Sequence, residues 1–205
     1  MLTLYCTPGT ISVAVAIALH EAGLPFEPVR VDFASAEQTK PDFARINPKG
    51  RVPALVTERG ILTETGALLD YVAARAPQAG LVPEDPFAAA KMREVMYYLA
   101  STMHVNHAHK MRGHRWADRP ESWDDMAAKV PATMTASAAH IEAEGLAGPF
   151  VLGERLSLAD PYLYVVSRWL AGDGVDTAAL PKLTAFMAAM AARPSVRAVQ
   201  QAGML

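Results

Sequence analysis

Residues 47–55 read Asn-Pro-Lys-Gly-Arg-Val-Pro-Ala-Leu, and this segment says more about the fold than any other part of the chain. Pro53 stands at the entrance to a short apolar strand, a position that tolerates a residue without a backbone N–H. The Val52–Pro53 bond has a far lower cis penalty than any non-proline bond, and a cis bond would turn the backbone of Val52 outward to pair with an extended peptide. From this dipeptide alone, an ordinary trans turn before a strand is the favoured interpretation.

Short β-branched segments separated by turn signals make up residues 1–63. Gly23 and Pro25 end a first helix whose apolar residues recur at helical spacing. Residues 58–60 form a hairpin turn between two further apolar segments. Strand, helix and strand with short links imply a right-handed parallel crossover. The predicted strands are 2–5, 27–31, 54–56 and 61–63, and the predicted helices are 13–22 and 65–75.

The pattern changes after residue 76, where a stretch rich in proline leads into a helical second half. Five predicted helices without a strand signal indicate a bundle. They are 87–113, 122–144, 158–171, 181–192 and 195–202. We therefore expect an α/β domain over residues 1–76, a linker over 77–86 and an all-α domain over 87–205.

Composition excludes several classes of protein. The net charge of −2 gives no electrostatic reason to expect nucleic acid as a partner. Charge, glycine or proline interrupts every apolar run before it reaches the length of a membrane span, and the first residues do not resemble a secretion signal. The single cysteine, Cys6, excludes an internal disulfide. These features favour a protein of the reducing cytoplasm.

Residues 63–65, Thr-Glu-Thr, precede the helix predicted over 65–75. A hydroxyl and an acid at a helix start suit capping and the helix dipole. Free amides at the same place would also bind a carboxylate. Taken alone, capping is the favoured interpretation.

Several segments together resemble bacterial glutathione transferases, nearest the beta class. In the first half these are residues 5–12 (YCTPGTIS), 47–55 (NPKGRVPAL), 63–65 (TET) and 67–72 (ALLDYV). In the second half they are residues 156–162 (LSLADPY), which resemble the helix-capping box of the family's C-terminal domain, and 187–196, which resemble its closing segment. The resemblance covers essentially the whole chain in the right order.

The resemblance implies a thioredoxin-like N-terminal domain that holds glutathione and an all-helical C-terminal domain that receives a small hydrophobic electrophile. It also implies a homodimer with the helix of residues 87–113 in the interface. Two alternatives stay open, because fold alone does not separate them. One is a glutathione-dependent isomerase, peroxidase or dehalogenase, and the other is a non-catalytic glutathione-binding or regulatory protein.

The resemblance also assigns the parts of glutathione to residues. Val52, before Pro53, would pair its backbone with the cysteinyl backbone of the tripeptide, as an added strand does. Glu64 would meet the α-amine of the γ-glutamyl group, and Thr65 would offer its hydroxyl and amide to the carboxylate of that group. Arg51, or alternatively Lys49, would meet the glycyl carboxylate.

The donor that activates the sulfur is left open among three groups. Many beta-class members have a cysteine where this chain has Ile11, which lacks a polar side chain. The hydroxyls of Thr10 and Ser12 and the amide of Ile11 remain, and capping is the other interpretation of both hydroxyls. A thiol with a pKa of about 8.5 needs such a donor, near a helix start, to become a thiolate at neutral pH. Cys6 lies one turn too early and is typical of a small buried hydrophobe.

Histidines are concentrated in the first predicted helix of the second half. His104 aligns with a histidine that beta-class relatives place near the sulfur, so we expect it to act as a donor. A metal site of His104, His107, His109 and His114 is the alternative. Helical geometry does not bring all four to one face, and no carboxylate repeats with them, so we expect no metal. Ser157 and Asp160 predict a structural capping box further on.

Overall fold

The computed structural model describes all 205 residues, which form two compact units. The units are Met1–Pro83 with Met190–Leu205, and Glu84–Ala189. The sequence-based division places everything from residue 87 onward in the helical domain. The last sixteen residues group instead with the first unit, because α9 (Pro194–Gln201) packs against α1 (Ser12–Glu21).

A four-stranded mixed sheet in the order β2-β1-β3-β4 forms the first unit. Its strands are β1 (Leu2–Cys6), β2 (Phe26–Arg30), β3 (Ala54–Thr57) and β4 (Gly60–Thr63), and its further helices are α2 (Pro41–Ala44) and α3 (Thr65–Arg75). β1 pairs with β2 in parallel, and the other pairs are antiparallel. The predicted thioredoxin-like α/β fold is thereby confirmed.

The register of the sheet brings three loops to one end. Tyr5 of β1 lies opposite Ala54 of β3, and Ala54 lies opposite Thr63 of β4. The carboxyl ends of β1 and β4 and the amino end of β3 therefore coincide. The turn after β1, the segment before β3 and the start of α3 meet at this end, which we call the binding end of the sheet.

Helix α1 is the centre of the first unit. Every residue from Ser12 to Leu19 is buried. A helix that is apolar on all sides needs cover on all sides, and β1, α3 and α9 pack against this one. The predicted helix at 13–22 is therefore a core element.

The C-terminal segment is fastened to α1 at two places. Arg193 donates from Nε and Nη2 to the Glu21 carboxylate at 2.5 and 2.7 Å, and Ser195 donates to the same carboxylate. Burial acts to raise the pKa of Glu21, but the hydrogen bonds from Arg193 and Ser195 hold it below its ordinary value of 4.5. Near the other end of α1, the Gly9 N–H donates to the Met204 carbonyl at 2.9 Å.

The second unit is built of helices, as predicted. They are α4 (Pro86–Tyr98), α5 (His104–Arg112), α6 (Pro120–His140), α7 (Ala159–Ser167) and α8 (Pro181–Ala191). A π-helical turn, Leu99–Met103, joins α4 to α5, so that the helix predicted over 87–113 is one run with a changed pitch in the middle. No helix of the structure has both the length and the apolar character needed to cross a membrane.

The predicted capping box is centred on Asp160. The fully buried Asp160 carboxylate accepts from the Ser157 N–H at 2.6 Å, as the motif predicts. The Ser157 hydroxyl donates to the same carboxylate at 2.8 Å, and the Val151 N–H donates to it from outside the motif. Asp160 thus ties the loop before α7 to the helix.

Candidate functional site

Two hydroxyls and the backbone of Thr7 form a hydrogen-bonded cluster at the start of α1. Thr10 Oγ1 lies 2.7 Å from both the Thr7 carbonyl and Ser12 Oγ. Ser12 Oγ accepts from the Thr7 N–H at 3.1 Å and lies 3.2 Å from the Thr7 carbonyl. Neither hydroxyl caps α1. The capping interpretation of Thr10 and Ser12 is therefore wrong, since both side chains form hydrogen bonds with the backbone of the turn that precedes the helix.

Burial separates the two predicted donors. Ser12 is fully buried, and Ile11 beside it is also buried. Thr10 is half-buried, so its hydroxyl is the one of the pair that a ligand can reach. Because Ser12 is also within hydrogen-bond distance of the Thr7 carbonyl, it can donate there when Thr10 donates elsewhere.

Asn47 shapes the loop that leads to β3, and the sequence interpretation gave it no role. Its side-chain amide donates to the Arg51 carbonyl at 2.6 Å and accepts from the Lys49 N–H at 3.2 Å. Gly50 completes the loop at φ 62°, a conformation that favours glycine. An asparagine two residues before a loop N–H is the signal that could have revealed this turn.

The backbone of Val52 is not paired with a strand of the sheet. The Val52–Pro53 bond is cis, so the trans turn favoured from the dipeptide alone is wrong. The side chain of Val52 packs with Val31 and Phe43. Its N–H and C=O form no hydrogen bond within the chain. Buried backbone groups are almost always paired, so this position suits a partner that is itself an extended backbone.

The start of α3 is not capped by a side chain. Glu64 takes the N-cap position at φ 70° and ψ 118°, a strained conformation of the kind that occurs at ligand-binding sites. The Glu64 carboxylate accepts instead from Lys49 Nζ at 2.5 Å, and the same Nζ donates to Thr63 Oγ1 at 2.7 Å. The capping interpretation of residues 63–65 is therefore wrong. Thr65, the first residue of α3, is buried.

The remaining candidates of the first unit differ in exposure. The Arg51 side chain is exposed at the edge of the loop. Cys6 is buried at the end of β1, and burial raises the pKa of its thiol to about 11. A thiol that stays protonated at neutral pH is a poor nucleophile, so the structure agrees with the description of Cys6 as a small buried hydrophobe.

In the second unit, His104 and His107 both contact the indole of Trp169. The ring centroids of His104 and Trp169 are 5.1 Å apart, and those of His107 and Trp169 are 4.2 Å apart with the planes stacked at 19°. His107 Nδ1 also lies 2.7 Å from the Asp173 carboxylate. No group of three or more histidine, cysteine, aspartate or glutamate side chains is placed to hold a metal ion.

Comparison with known proteins finds relatives of both halves of the chain. The family model "Glutathione S-transferase, N-terminal domain" matches residues 1–74, and "Glutathione S-transferase, C-terminal domain" matches residues 124–194. The glutathione S-transferase GstA of Escherichia coli O157:H7 is 30% identical over 197 residues, which cover 95% of this chain and 94% of GstA. The chain belongs to the glutathione S-transferase family.

Solved transferase structures agree with this fold. A glutathione transferase homologue from Sulfitobacter, solved with bound glutathione, is 71% identical and superposes with a TM-score of 0.99, covering 100% of this chain and 99% of its own. A beta-class transferase from Sphingomonas chungbukensis is 33% identical with a TM-score of 0.83, and the match covers 98% of each chain. The protein is thus an enzyme of a family whose co-substrate is glutathione.

Proposed function

We propose that this transferase holds glutathione along the binding end of the sheet and activates its thiol for attack on a small hydrophobic electrophile. The observation that carries the proposal is the meeting of three features at that end. They are the reachable hydroxyl of Thr10, the unpaired backbone of Val52 and the uncapped start of α3 beside Glu64. They correspond in kind to the thiol, the extended backbone and the charged γ-glutamyl end of the tripeptide. Glutathione bound to the Sulfitobacter homologue supports the assignment.

The γ-glutamyl group would bind at the start of α3. Its ammonium group would donate to Glu64, and its carboxylate would accept from the hydroxyl and amide of Thr65, where the helix dipole favours an anion. Lys49 already contacts Glu64 at this place. We therefore assign the glycyl carboxylate, at the opposite end of an extended tripeptide, to Arg51 instead of Lys49.

Thr10 would donate the hydrogen bond that stabilises the thiolate. Exposure favours it over Ser12, whose hydroxyl is fully buried. We give Ser12 a positioning role: it would donate to the Thr7 carbonyl while the Thr10 hydrogen turns to the sulfur. One hydrogen bond to a charged group contributes about 1.5–3 kcal/mol, which lowers the pKa of a thiol by about 1–2. The amide of Ile11 is the competing donor.

Two wider proposals follow from the family. His104 stays a predicted second donor, and its half-buried ring rests on Trp169. We also propose a homodimer with the run from α4 to α5 in the interface. Phe87 and Tyr97 support this, because these large side chains are 75% and 62% exposed on α4. Light scattering on the purified protein would measure the mass in solution.

The test of thiol activation is Thr10→Val, with Thr10→Ser as the matched control that keeps the hydroxyl. The pKa of bound glutathione, followed by the ultraviolet absorbance of its thiolate, should rise by about 1–2 in Thr10→Val and stay near the parent value in Thr10→Ser. An unchanged pKa in Thr10→Val would transfer the role to the Ile11 amide.

A substrate panel separates conjugation from its rivals. Turnover of an aryl halide supports the proposed reaction, turnover of a peroxide alone indicates a peroxidase, and turnover of a cis-dienone alone indicates an isomerase. Absence of calorimetric heat on titration with glutathione at millimolar concentration would overturn the proposed function altogether.

A further inference from the structure

The turn before α1 is held by a residue from the other end of the sequence. It is a β-turn that the Thr10 N–H closes on the Thr7 carbonyl at 3.2 Å. Pro8 fixes a negative φ at its second position, and Gly9 has φ 71° at its third, a combination that defines a type II turn. The bond that closes the turn does not use the Gly9 N–H, which donates instead to the Met204 carbonyl at 2.9 Å.

The Met204 carbonyl acts on the peptide group that distinguishes this turn from its commoner form. Types I and II differ by a rotation of the central peptide, which here joins Pro8 to Gly9. The bond to Met204 favours the orientation seen in the structure. Thr10 follows Gly9 directly, and its hydroxyl lies 2.7 Å from the carbonyl at the start of the same turn. The position of the proposed donor to sulfur therefore depends on a carbonyl that does not belong to the turn.

A Schellman motif at the end of α9 fixes the position of that carbonyl. The Gly203 N–H donates to the Gln200 carbonyl at 3.0 Å, and the Met204 N–H donates to the Val199 carbonyl at 3.0 Å. Gly203 has φ 67°, a left-handed conformation that residues with a Cβ rarely adopt. Val199 and Met204 are buried, whereas Gly203 is exposed and a Cβ there would meet no atom within 4 Å. Gly203 thus directs the chain after α9 without taking part in the packing.

Helix α9 and its flanking residues are bonded at both ends of α1. Arg193 and Ser195 bind Glu21 at the carboxyl end of α1, and Met204 binds Gly9 just before its amino end. The two helices also pack against each other. Because α9 is fixed at its start, a change of backbone conformation at its end moves the Met204 carbonyl relative to the turn.

We propose that Gly203 and Met204 are positioning residues for the thiol chemistry, which hold Thr10 where its hydroxyl meets the sulfur of glutathione; this inference rests on the proposed function. Neither residue needs to contact the ligand. Loss of the bond from Met204 lets the central peptide of the turn rotate, so that the hydroxyl points to the sulfur in only part of the molecules. The groups proposed to bind the rest of the tripeptide, Val52 and Glu64, stay in place.

Gly203→Ala tests the proposal, because alanine strains the left-handed position and leaves the turn itself unchanged in sequence. Asparagine tolerates this conformation better than most residues, so Gly203→Asn is the conservative variant. Gly23→Ala is the matched control, since Gly23 has φ 65° and a Cβ there would also meet no atom within 4 Å. It occupies the same motif at the carboxyl end of α1, where its N–H donates to the His20 carbonyl and the Leu24 N–H donates to the Leu19 carbonyl.

The measured quantity is the pKa of the thiol of bound glutathione, followed by the absorbance of its thiolate in the intact enzyme. It should rise by about 0.5–1 in Gly203→Ala, half of the rise expected for Thr10→Val, because the hydroxyl is displaced and not removed. The pH profile of kcat should move by the same amount. Gly203→Asn should lie closer to the parent. Gly23→Ala should lower Tm as Gly203→Ala does and keep the thiol pKa of the parent.

Affinity for S-methylglutathione separates positioning of the donor from binding of the tripeptide, because this analogue has no thiol proton. Its Kd should stay at the parent value in Gly203→Ala. The double variant Thr10→Val/Gly203→Ala should have the thiol pKa of Thr10→Val, because no hydroxyl is left to position. A further rise in the double variant overturns the route through Thr10.

Equal thiol pKa values in the parent and Gly203→Ala overturn the proposal. An equal rise in Gly203→Ala and Gly23→Ala also overturns it, because α1 then needs only general support from the segments around it. If the parent enzyme does not lower the pKa of the glutathione thiol, the proposed function fails and this inference fails with it.

Discussion

The amino ends of α1 and α3 both lie at the binding end of the sheet and neither has a side-chain cap, but the turns that precede them differ. At α1, the Thr10 and Ser12 hydroxyls are hydrogen-bonded to Thr7 and to each other. At α3, no side chain caps the helix, and the strained Glu64 turns its carboxylate to Lys49. The hydroxyls tie the turn before α1 to its own chain, and we call this the closed end. The start of α3 has no such bonds, and we call it the open end.

This difference indicates that the two helix starts have separate roles at the binding end of the sheet. A closed end can present a single proton donor at a fixed place, which is what a sulfur atom needs. An open end can receive a carboxylate on its free amides. We therefore expect changes at α3 to alter glutathione affinity, and changes around α1 to alter folding stability or the chemistry at sulfur.

The largest effect should come from the open end. Glu64→Gln should raise the Kd for glutathione about 10–100-fold, because a hydrogen bond to a charged group contributes about 1.5–3 kcal/mol. Isothermal calorimetry measures the change. The control is Glu58→Gln, which removes a carboxylate from another exposed ion pair of the first unit. Equal affinities in the two variants would refute the assignment of Glu64.

The next effect concerns the C-terminal segment, which Arg193 and Ser195 bind to Glu21 of α1. Glu21→Gln should lower the free energy of unfolding by about 2 kcal/mol at neutral pH. The folded state lowers the pKa of Glu21 below 4.5. The stability from this group is thus complete above pH 4.5 and is lost as the pH falls through the lower, folded value.

Denaturant unfolding at neutral pH and below pH 4.5 measures this dependence, and the difference between parent and variant should shrink in acid. Glu27→Gln, a change of the same type at an exposed position of β2, is the control. A difference that stays constant with pH would show that the variant acts through packing instead of charge.

Ser12→Ala should have a smaller effect than Glu64→Gln, and it should lower folding stability instead of glutathione affinity. The Thr7 N–H loses its acceptor, so we expect the free energy of unfolding to fall by about 1 kcal/mol. Glutathione affinity should change little, because Ser12 is fully buried. A large loss of affinity at unchanged Tm would mean that Ser12 itself contacts the ligand.

The smallest effect concerns Cys6, the last residue of β1. Burial raises the pKa of its thiol to about 11, so the reactive thiolate is scarce until the pH approaches that value. We expect no reaction with an aromatic disulfide reagent at neutral pH until denaturant is added. Stoichiometric labelling of the folded enzyme would contradict this.

The sequence predicted the elements whose signals are local. The strands, α1 and α3 follow from periodicity and from Gly23, Pro25 and residues 58–60, and the structure confirms them. The family resemblance pointed to Val52 and Glu64, whereas local propensity alone favoured a trans turn and a cap. Local preference was overridden there, which is usual at functional sites.

Polar side chains that are distant in the sequence but bonded in the fold left no comparable signal in the sequence. Glu21 and Arg193 are 172 residues apart, and His107 and Asp173 are 66 residues apart. Periodicity reports which face of an element is apolar, but it does not report which polar side chains meet across the fold. For this reason the sequence assigned α9 to the helical domain and left Asn47 and Asp173 without a role.

The bond from the Gly9 N–H to the Met204 carbonyl has a practical consequence for anyone who purifies this enzyme. Met204 is buried and Leu205 is the next residue, whereas Met1 is 88% exposed. An affinity tag fused after Leu205 would therefore begin one residue from the contact that steadies the glycine beside Thr10. Tags are better placed before Met1, and kinetic constants from the two kinds of fusion should not be pooled.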